Sequence, residues 1–183
     1  SFVETLHVTY LQTDALNAAR RALELADENA RTSYPVERDY VRAHWLLGAT
    51  HRVNKNYDDA ERHLLEALTR CRSINSVDAE GDILIDLARL RLDLNEVEEA
   101  KRLAEEALII TERSDYVLQG ADAHLVLARL ALRRNDKSEA LHHAQEARTL
   151  ATCDGEPYVY RVAFDEAGVM MKEIEGDKGN KGK

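Results

Sequence analysis

The chain has 183 residues, of which 44% are apolar, 5% aromatic and 32% charged, and its formal net charge is −9. This apolar content is enough for a folded core, and the acidic balance argues against wholesale coating of nucleic acid or of an anionic membrane. No apolar stretch reaches the roughly 18 residues that a membrane span needs. Strong helix formers dominate and no apolar–polar alternation indicates strands, so we expect an all-helical protein.

Small and apolar residues recur every forty residues along most of the chain. The four registers are Ala60, Ala100 and Ala140; Gly48, Ala88, Ala128 and Gly168; Ala67, Ala107 and Ala147; and Leu47, Leu87, Leu127 and Ala167. A unit of this length cannot bury its apolar face alone, so successive units must stack on one another. The sequence therefore predicts a right-handed α-solenoid of about seven helices in antiparallel pairs.

Each unit is predicted to contain a first helix, called A, and a second helix, called B. A partial repeat over residues 1–31 contains an A stub (2–11) and a B helix (12–31). Three full repeats follow over 38–73, 77–113 and 116–151, with A and B helices at 39–53 and 57–71, 77–94 and 96–113, and 116–134 and 137–151. A partial repeat over 157–175 is predicted to be an A helix with Pro157 in its first turn. We expect one repeat domain over 1–175, a disordered tail over 176–183, and a longer parent chain.

The predicted breaks between A and B helices have a conformational cause. Asn95 and Asn135 stand where the chain must leave the right-handed helical region, and asparagine tolerates the left-handed conformation better than most residues. Asp136 and Glu139 have the spacing of a capping box, so the Asp136 carboxylate is predicted to accept a hydrogen bond at the start of the next B helix.

Residues 44–68 carry the most specific pattern in the chain: Leu-Gly, then alanine, a bulky residue and alanine, at Leu47, Gly48, Ala60, Leu64 and Ala67. This segment closely resembles a tetratricopeptide repeat. His44 and His51 occupy positions where the family usually has aromatics, and the period exceeds the family's ~34 residues. The resemblance implies non-catalytic binding of a protein or peptide in a groove lined by A helices.

The long repeats, together with Ala-Thr-Cys-Asp-Gly-Glu-Pro-Tyr at 151–158, are also similar to the C-terminal sensor arrays of bacterial signal-transducing NTPases of the STAND type. This similarity implies the sensor or docking array of a larger cytoplasmic signalling protein. No Gly-x-x-x-x-Gly-Lys loop occurs, so a nucleotide-binding module would lie outside this chain. Two alternatives stay open: a regulator that binds a small signalling peptide or metabolite in the groove, and a structural spacer that oligomerises.

We expect no catalytic residue, no cofactor and no metal site. Cys71 and Cys153 lie just past the ends of two predicted helices in different repeats, and are expected to be free thiols in a reducing compartment. His44 and His51 fall on packing positions, and neither Cys-x-x-Cys nor His-Glu-x-x-His occurs.

The candidate binding residues are A-helix positions predicted to face the groove. Arginines there could form paired hydrogen bonds with carboxylates of a partner, and Trp45 and Leu125 could supply apolar contact. Acids on the same stripe could instead neutralise these arginines in a ladder of ion pairs, and that alternative stays open. The candidate set is Arg42, Trp45, Arg52, Arg89, Leu125, Arg129 and Arg133. The expected partner is a protein or peptide rather than a membrane or nucleic acid, with self-association possible through uncapped ends of the array.

Overall fold

The computed structural model describes residues 2–176, with side chains from residue 13 onward, and every regular element in this range is an α-helix. The helices are α1 (Phe2–Thr32), α2 (Glu37–Val53), α3 (Tyr57–Ser73), α4 (Val77–Asp93), α5 (Val97–Ser114), α6 (Val117–Arg133), α7 (Lys137–Ala151) and α8 (Arg161–Gly176). The predicted fold class, an all-α solenoid of antiparallel helix pairs, is confirmed for this part of the chain. None of the helices described is both long and apolar enough to span a bilayer. Most of the predicted tail lies outside the described residues.

The chain divides into two compact units, Ser1–Leu90 and Arg91–Lys183. In the N-terminal unit α1 packs on α2 and α2 on α3, and in the C-terminal unit α5 packs on α6, α6 on α7, and α7 on α8. Alanine fills much of the C-terminal core, where Ala121, Ala128, Ala144 and Ala167 surround Leu125. Small side chains let helix backbones approach closely, which is why the alanine registers mark the helix contacts.

The turns between helices recur every twenty residues. In each of the five turns from α2 to α7, one non-glycine residue has the left-handed conformation: Lys55 (φ 62°), Asn75 (φ 53°), Asn95 (φ 64°), Asp115 (φ 57°) and Asn135 (φ 60°). The predicted breaks at Asn95 and Asn135 are therefore confirmed. Since one helix with its turn takes twenty residues, an A–B pair takes forty, and this accounts for the long period.

The predicted cap at the start of α7 is also present. The Glu139 backbone N–H donates a 3.0 Å hydrogen bond to Oδ1 of Asp136. This bond satisfies one of the amide groups that the first turn of a helix leaves without an intrahelical partner.

The structure differs from the sequence prediction near both ends. Helix α1 is continuous, whereas we predicted a stub over 2–11 and a B helix over 12–31; Leu11 and Gln12 at this boundary are good helix formers, so nothing there ends the helix. Helix α8 begins at Arg161, one turn later than the start predicted at Pro157. The delay follows from the turn after α7, where Cys153 and Gly155 have positive φ angles. Cys71 lies inside the last turn of α3, not past its end.

Candidate functional site

The A helices of the N-terminal unit include α2 and α4, and a three-residue cluster joins these two helices. The indole Nε1–H of Trp45 donates to Oδ2 of Asp86 at 2.7 Å. Arg89 donates from Nη1 to Oδ1 of the same carboxylate at 3.2 Å. Asp86 is only 7% exposed, so these two donors supply the compensation that a buried carboxylate needs. Trp45 is half-buried, with its polar atom engaged and part of its ring accessible.

A small cavity of about 130 Å³ opens beside Trp45 between α2 and the start of α4. Arg42 at its rim is exposed, and no partner pairs with it among the described residues. On the opposite rim, Asp78 accepts a hydrogen bond from the Ser76 hydroxyl at 2.6 Å, which lowers the pKa of Asp78. The cavity is lined by Arg38, Val41, Arg42, Trp45, Ser76, Asp78, Ala79 and Asp82. Its size fits one inserted side chain, with arginines on one rim and aspartates on the other.

The exposed B-helix arginines have a different environment. Arg62 pairs with Asp59 at 2.7 Å within α3, and Arg102 pairs with Glu99 at 2.7 Å and Glu106 at 2.9 Å within α5. Exposed pairs of this kind stabilise a helix only slightly, but they leave little unsatisfied charge for a partner. Arg42 therefore differs from them: it is an exposed guanidinium next to the Trp45 cavity, and none of the residues whose side chains the structure describes pairs with it.

In the C-terminal unit, the predicted binding arginines contact the protein itself. Arg129 on α6 forms an ion pair with Glu166 on α8. Arg133 donates from Nη1 to the Leu92 backbone oxygen at 2.7 Å and to Oδ1 of Asn95 at 3.2 Å. Here Arg133 binds a carbonyl at the C-terminal end of α4, where the helix dipole favours a cation.

One other predicted residue is placed differently from the expectation. Leu125 is 2% exposed and packs in the alanine-rich core, so the prediction that it offers apolar contact to a partner is corrected. Arg52 is half-buried at the end of α2 and does not line the cavity. The structure thus brings Arg42, Trp45 and Arg89 together around one surface. Sequence reasoning missed Arg38, although it lies one turn before Arg42 at the i,i+4 spacing that places two residues on one helix face.

Histidines occupy helix contacts, as predicted for His44 and His51. Nδ1 of His44 lies 2.9 Å from Nδ1 of His63, and the His51 ring stacks on His63 with 5.7 Å between centroids and 2° between planes. Burial lowers the pKa of all three rings, that of His63 to about 4. Within the part of the chain that the structure describes, no group of three or more His, Cys, Asp or Glu side chains could hold a metal ion.

Each unit also contains a larger cavity away from the Trp45 surface. The first, of about 370 Å³, lies among α1, α2 and α3, and its polar lining includes Arg20, Asp27, His51 and Arg62. The second, of about 260 Å³, lies among α5, α6 and α7, and is lined by Glu112, His124, Glu146 and others. The first cavity is lined by both acidic and basic side chains, and the second by acidic side chains and a histidine.

Comparisons with known proteins support the helical-repeat fold. Residues 39–113 match the family model described as Tetratricopeptide repeat, which supports the resemblance to that family over this part of the chain. The crystal structure of BtubC (BKLC) from P. vanneervenii has a similar fold: the TM-score is 0.64 at 20% identity, over 92% of this chain and 74% of that one. None of the curated proteins matches. Tetratricopeptide repeats generally mediate protein–protein interaction and are generally non-catalytic scaffolds.

Proposed function

We propose that this chain is a non-catalytic interaction scaffold that binds a protein or peptide on the A-helix surface of α2 and α4. The observation that carries the proposal is Arg42, an exposed guanidinium at the rim of a cavity beside the ring of Trp45, with no partner between residues 13 and 176. Arginine and tryptophan are the side chains most often found at the energetic centres of interfaces. The tetratricopeptide match over residues 39–113 includes both residues and all of α4.

The binding chemistry follows from the groups that are available. Arg42 and Arg38 would bind a carboxylate of the partner, while an apolar part of the partner packs against the accessible part of Trp45. Arg89 would stiffen this surface through Asp86 rather than bind the partner directly. Arg129 and Arg133 contact the protein itself, so they would contribute to binding only after an exchange of ion pairs.

We further infer that the chain is a single repeat domain, 1–175, that serves as the docking or sensor array of a larger cytoplasmic signalling protein. The support is the length of the repeat and the similarity of its pattern to bacterial sensor arrays. The full-length chain tests this inference: a nucleotide-binding or effector module upstream supports it, and an unrelated enzyme or secretion signal argues against it.

The binding proposal can be tested with a displayed library of short random peptides selected on the wild-type chain. The chain has a single tryptophan, so Trp45 emission reports directly on this surface. Selected peptides should change that emission when they bind. The double variant Arg42→Glu with Arg38→Glu should raise the dissociation constant of these peptides by about tenfold or more, which corresponds to ~1.4 kcal/mol. The matched control is charge reversal of Arg62 and Lys101 on B helices, checked for folding by circular dichroism. If peptide binding depends on the control pair and not on Arg42, the B-helix face is the working surface.

A small signalling peptide or metabolite is the second candidate ligand. The 370 Å³ cavity among α1, α2 and α3 favours it, since arginine and carboxylate groups converge there. Thermal shifts measured with free amino acids, dipeptides and nucleotides should then depend on Arg20 and not on Arg42.

The third candidate is a structural spacer that associates through the surface of α8. Val162 and Val169 are 68% and 55% exposed and lie seven residues apart on that helix, close to one face. Sedimentation velocity should then show a dimer that Val162→Lys with Val169→Lys dissociates; a monomer at all concentrations argues against it.

A further inference from the structure

Two histidine pairs occupy equivalent helix contacts, one in each unit. His44 on α2 faces His63 on α3, and His124 on α6 faces His143 on α7; the Nδ1 atoms lie 2.9 Å apart in both pairs. The two pairs are separated by two repeat lengths. The middle repeat has Leu84 and Leu103 at the same positions, and these are 0% and 5% exposed. Since each of these two positions accommodates a buried leucine in the middle repeat, burial alone does not require histidine there.

The contact between two Nδ1 atoms restricts the number of protons that a pair can carry. A hydrogen bond of this length needs a proton on one Nδ1 and a lone pair on the other. One added proton can be held on the outer nitrogen of the donor ring, and the hydrogen bond then survives. A second added proton must go to the acceptor Nδ1, which leaves two N–H groups facing each other. The ring centroids are 5.1 and 5.2 Å apart, so two charged rings would also repel each other.

The surroundings oppose this charging in both units. Burial is the largest cause, and it lowers the pKa of His63 and of His124 to about 4; the pKa values of His44 and His143 are lowered as well. Charged and titratable groups nearby act in both directions. In the N-terminal unit they are Arg20 and Asp27 on α1, His51 on α2, and Asp59, Arg62, Glu66 and Arg70 on α3; in the C-terminal unit they are Glu105 and Glu112 on α5, and Glu139, His142 and Glu146 on α7.

We propose that each histidine pair is an acid-operated latch, which holds its A and B helices together while it carries at most one added proton and releases them when both rings are charged. The inference is independent of the proposed binding function. It makes α2–α3 and α6–α7 the acid-sensitive helix contacts of the two units. Because α2 also carries Trp45, release of α2 from α3 would alter the environment of that ring.

The direction of the pH effect follows from proton linkage. Unfolded histidine has its ordinary pKa of 6.5, and the folded rings have lower values, so the unfolded chain binds more protons between 6.5 and about 4. Stability therefore falls as the pH is lowered through this window. The unfolding equilibrium constant rises by up to about tenfold per pH unit for each such ring. The ordinary pKa values of aspartate and glutamate lie near the lower end of this window, so the upper part of the window is suited to measuring the histidine contribution.

The middle repeat supplies the test variants. His44→Leu with His63→Leu reproduces the Leu84 and Leu103 pair in the N-terminal unit, and His124→Leu with His143→Leu does so in the C-terminal unit. Urea unfolding of each double variant, followed by circular dichroism across this pH window, should show a clearly smaller loss of stability on acidification than the wild type. The control is Leu103→Ala, which removes buried apolar volume in the middle repeat but no titratable group. It should lower stability at every pH and leave the wild-type pH dependence unchanged.

Nuclear magnetic resonance of the wild-type chain gives a second measurement that needs no variant. The imidazole nitrogen signals should show one Nδ1–H ring in each pair at neutral pH, and amide exchange in α2, α3, α6 and α7 should accelerate on acidification. The proposal is overturned if the four rings titrate near 6.5, or if the leucine variants lose stability with acid as steeply as the wild type.

Discussion

The indole N–H of Trp45 and the carboxylate of Asp86 join α2 to α4 through a 2.7 Å hydrogen bond between side chains 41 positions apart. Asp86 is 7% exposed, and its other oxygen accepts from Arg89. A hydrogen bond to a buried charged group contributes about 1.5–3 kcal/mol, and removal of one partner leaves the other charge poorly compensated. This one contact therefore holds the candidate binding surface together as well as the two helices.

Trp45→Phe and Asp86→Ala should each lower the free energy of unfolding by roughly 1.5–3 kcal/mol, because each removes the same hydrogen bond. The double variant should lose clearly less than the sum, with a coupling energy of about 1 kcal/mol. Urea unfolding followed by circular dichroism measures all four proteins without relying on tryptophan emission. Trp45→Phe combined with Arg62→Ala is the matched control, since Arg62 pairs with Asp59, and these effects should add. Simple additivity of the Trp45 and Asp86 effects would argue against the contact.

Repeat periodicity was sufficient to predict most helices and their breaks. The A and B helices of the three full repeats end within a few residues of the predicted bounds, because small packing residues and left-handed asparagines recur at fixed intervals. A repeat at either end of the sequence has a neighbouring repeat on one side only, so periodicity constrains its helix bounds less. There, α1 is continuous because no helix-breaking residue stands near Leu11, and α8 starts late because of the turn at Cys153 and Gly155; the register contains neither signal.

Gly48 and Leu64 show how side-chain size is matched between A and B helices. A Cβ atom added at Gly48 would lie 2.5 Å from Cγ of Leu64, which is too close for any real contact. In the third repeat the equivalent positions are Ala128 and Ala144, both fully buried in the same core. The A helix thus has glycine where the B helix has a large leucine, and alanine where the B helix has a small alanine.

Gly48→Ala should therefore have opposite effects in two backgrounds. In the wild type, overpacking against Leu64 costs about 1–3 kcal/mol and outweighs the ~1 kcal/mol that alanine gains over glycine in a helix. In a Leu64→Ala chain, the same substitution should be stabilising by about 1 kcal/mol, because the new methyl group enters space that Leu64 has vacated. Thermal and urea unfolding of the four proteins provide the comparison. The same sign in both backgrounds would show that the two residues do not limit each other's size.

Lys55 occupies a left-handed turn position that asparagine fills in three other turns. Lys55→Gly should raise stability by about 1 kcal/mol, since a residue with a side chain pays roughly 1–2 kcal/mol to adopt this conformation and glycine does not. The control is Lys101→Gly inside α5, where the same change should cost about 1 kcal/mol. Calorimetric melting of both variants decides the matter; a loss of stability in Lys55→Gly would contradict the turn geometry.

The binding surface was less predictable than the fold. Sequence spacing placed Arg42, Trp45 and Arg89 on A helices, but it could not tell which arginines find partners inside the protein. Arg129 and Arg133 differ from Arg42 only in three-dimensional neighbours: Glu166 lies 37 residues away in sequence, and the Leu92 carbonyl lies 41 residues away. Leu125 could not be separated from an exposed leucine by helical periodicity alone, because a residue at the edge of an apolar face is either buried or exposed according to the helix packed beside it.

The two cysteines should differ sharply in reactivity. Cys71 is fully buried, its Sγ donates to the Ser76 backbone oxygen at 3.0 Å, and burial raises its pKa to about 11. Cys153 is exposed in the turn after α7. Since the thiolate is the reactive form, a disulfide reagent at neutral pH should label Cys153 quickly and Cys71 only when the end of α3 opens. Absorbance should therefore show one fast group per native chain and a second that appears on addition of urea.

Cys153→Ser should remove the fast phase and leave the slow one, whose rate then reports opening of the contact between α3 and the following turn. Rapid labelling of Cys71 in the folded Cys153→Ser chain would show that this contact is open in solution.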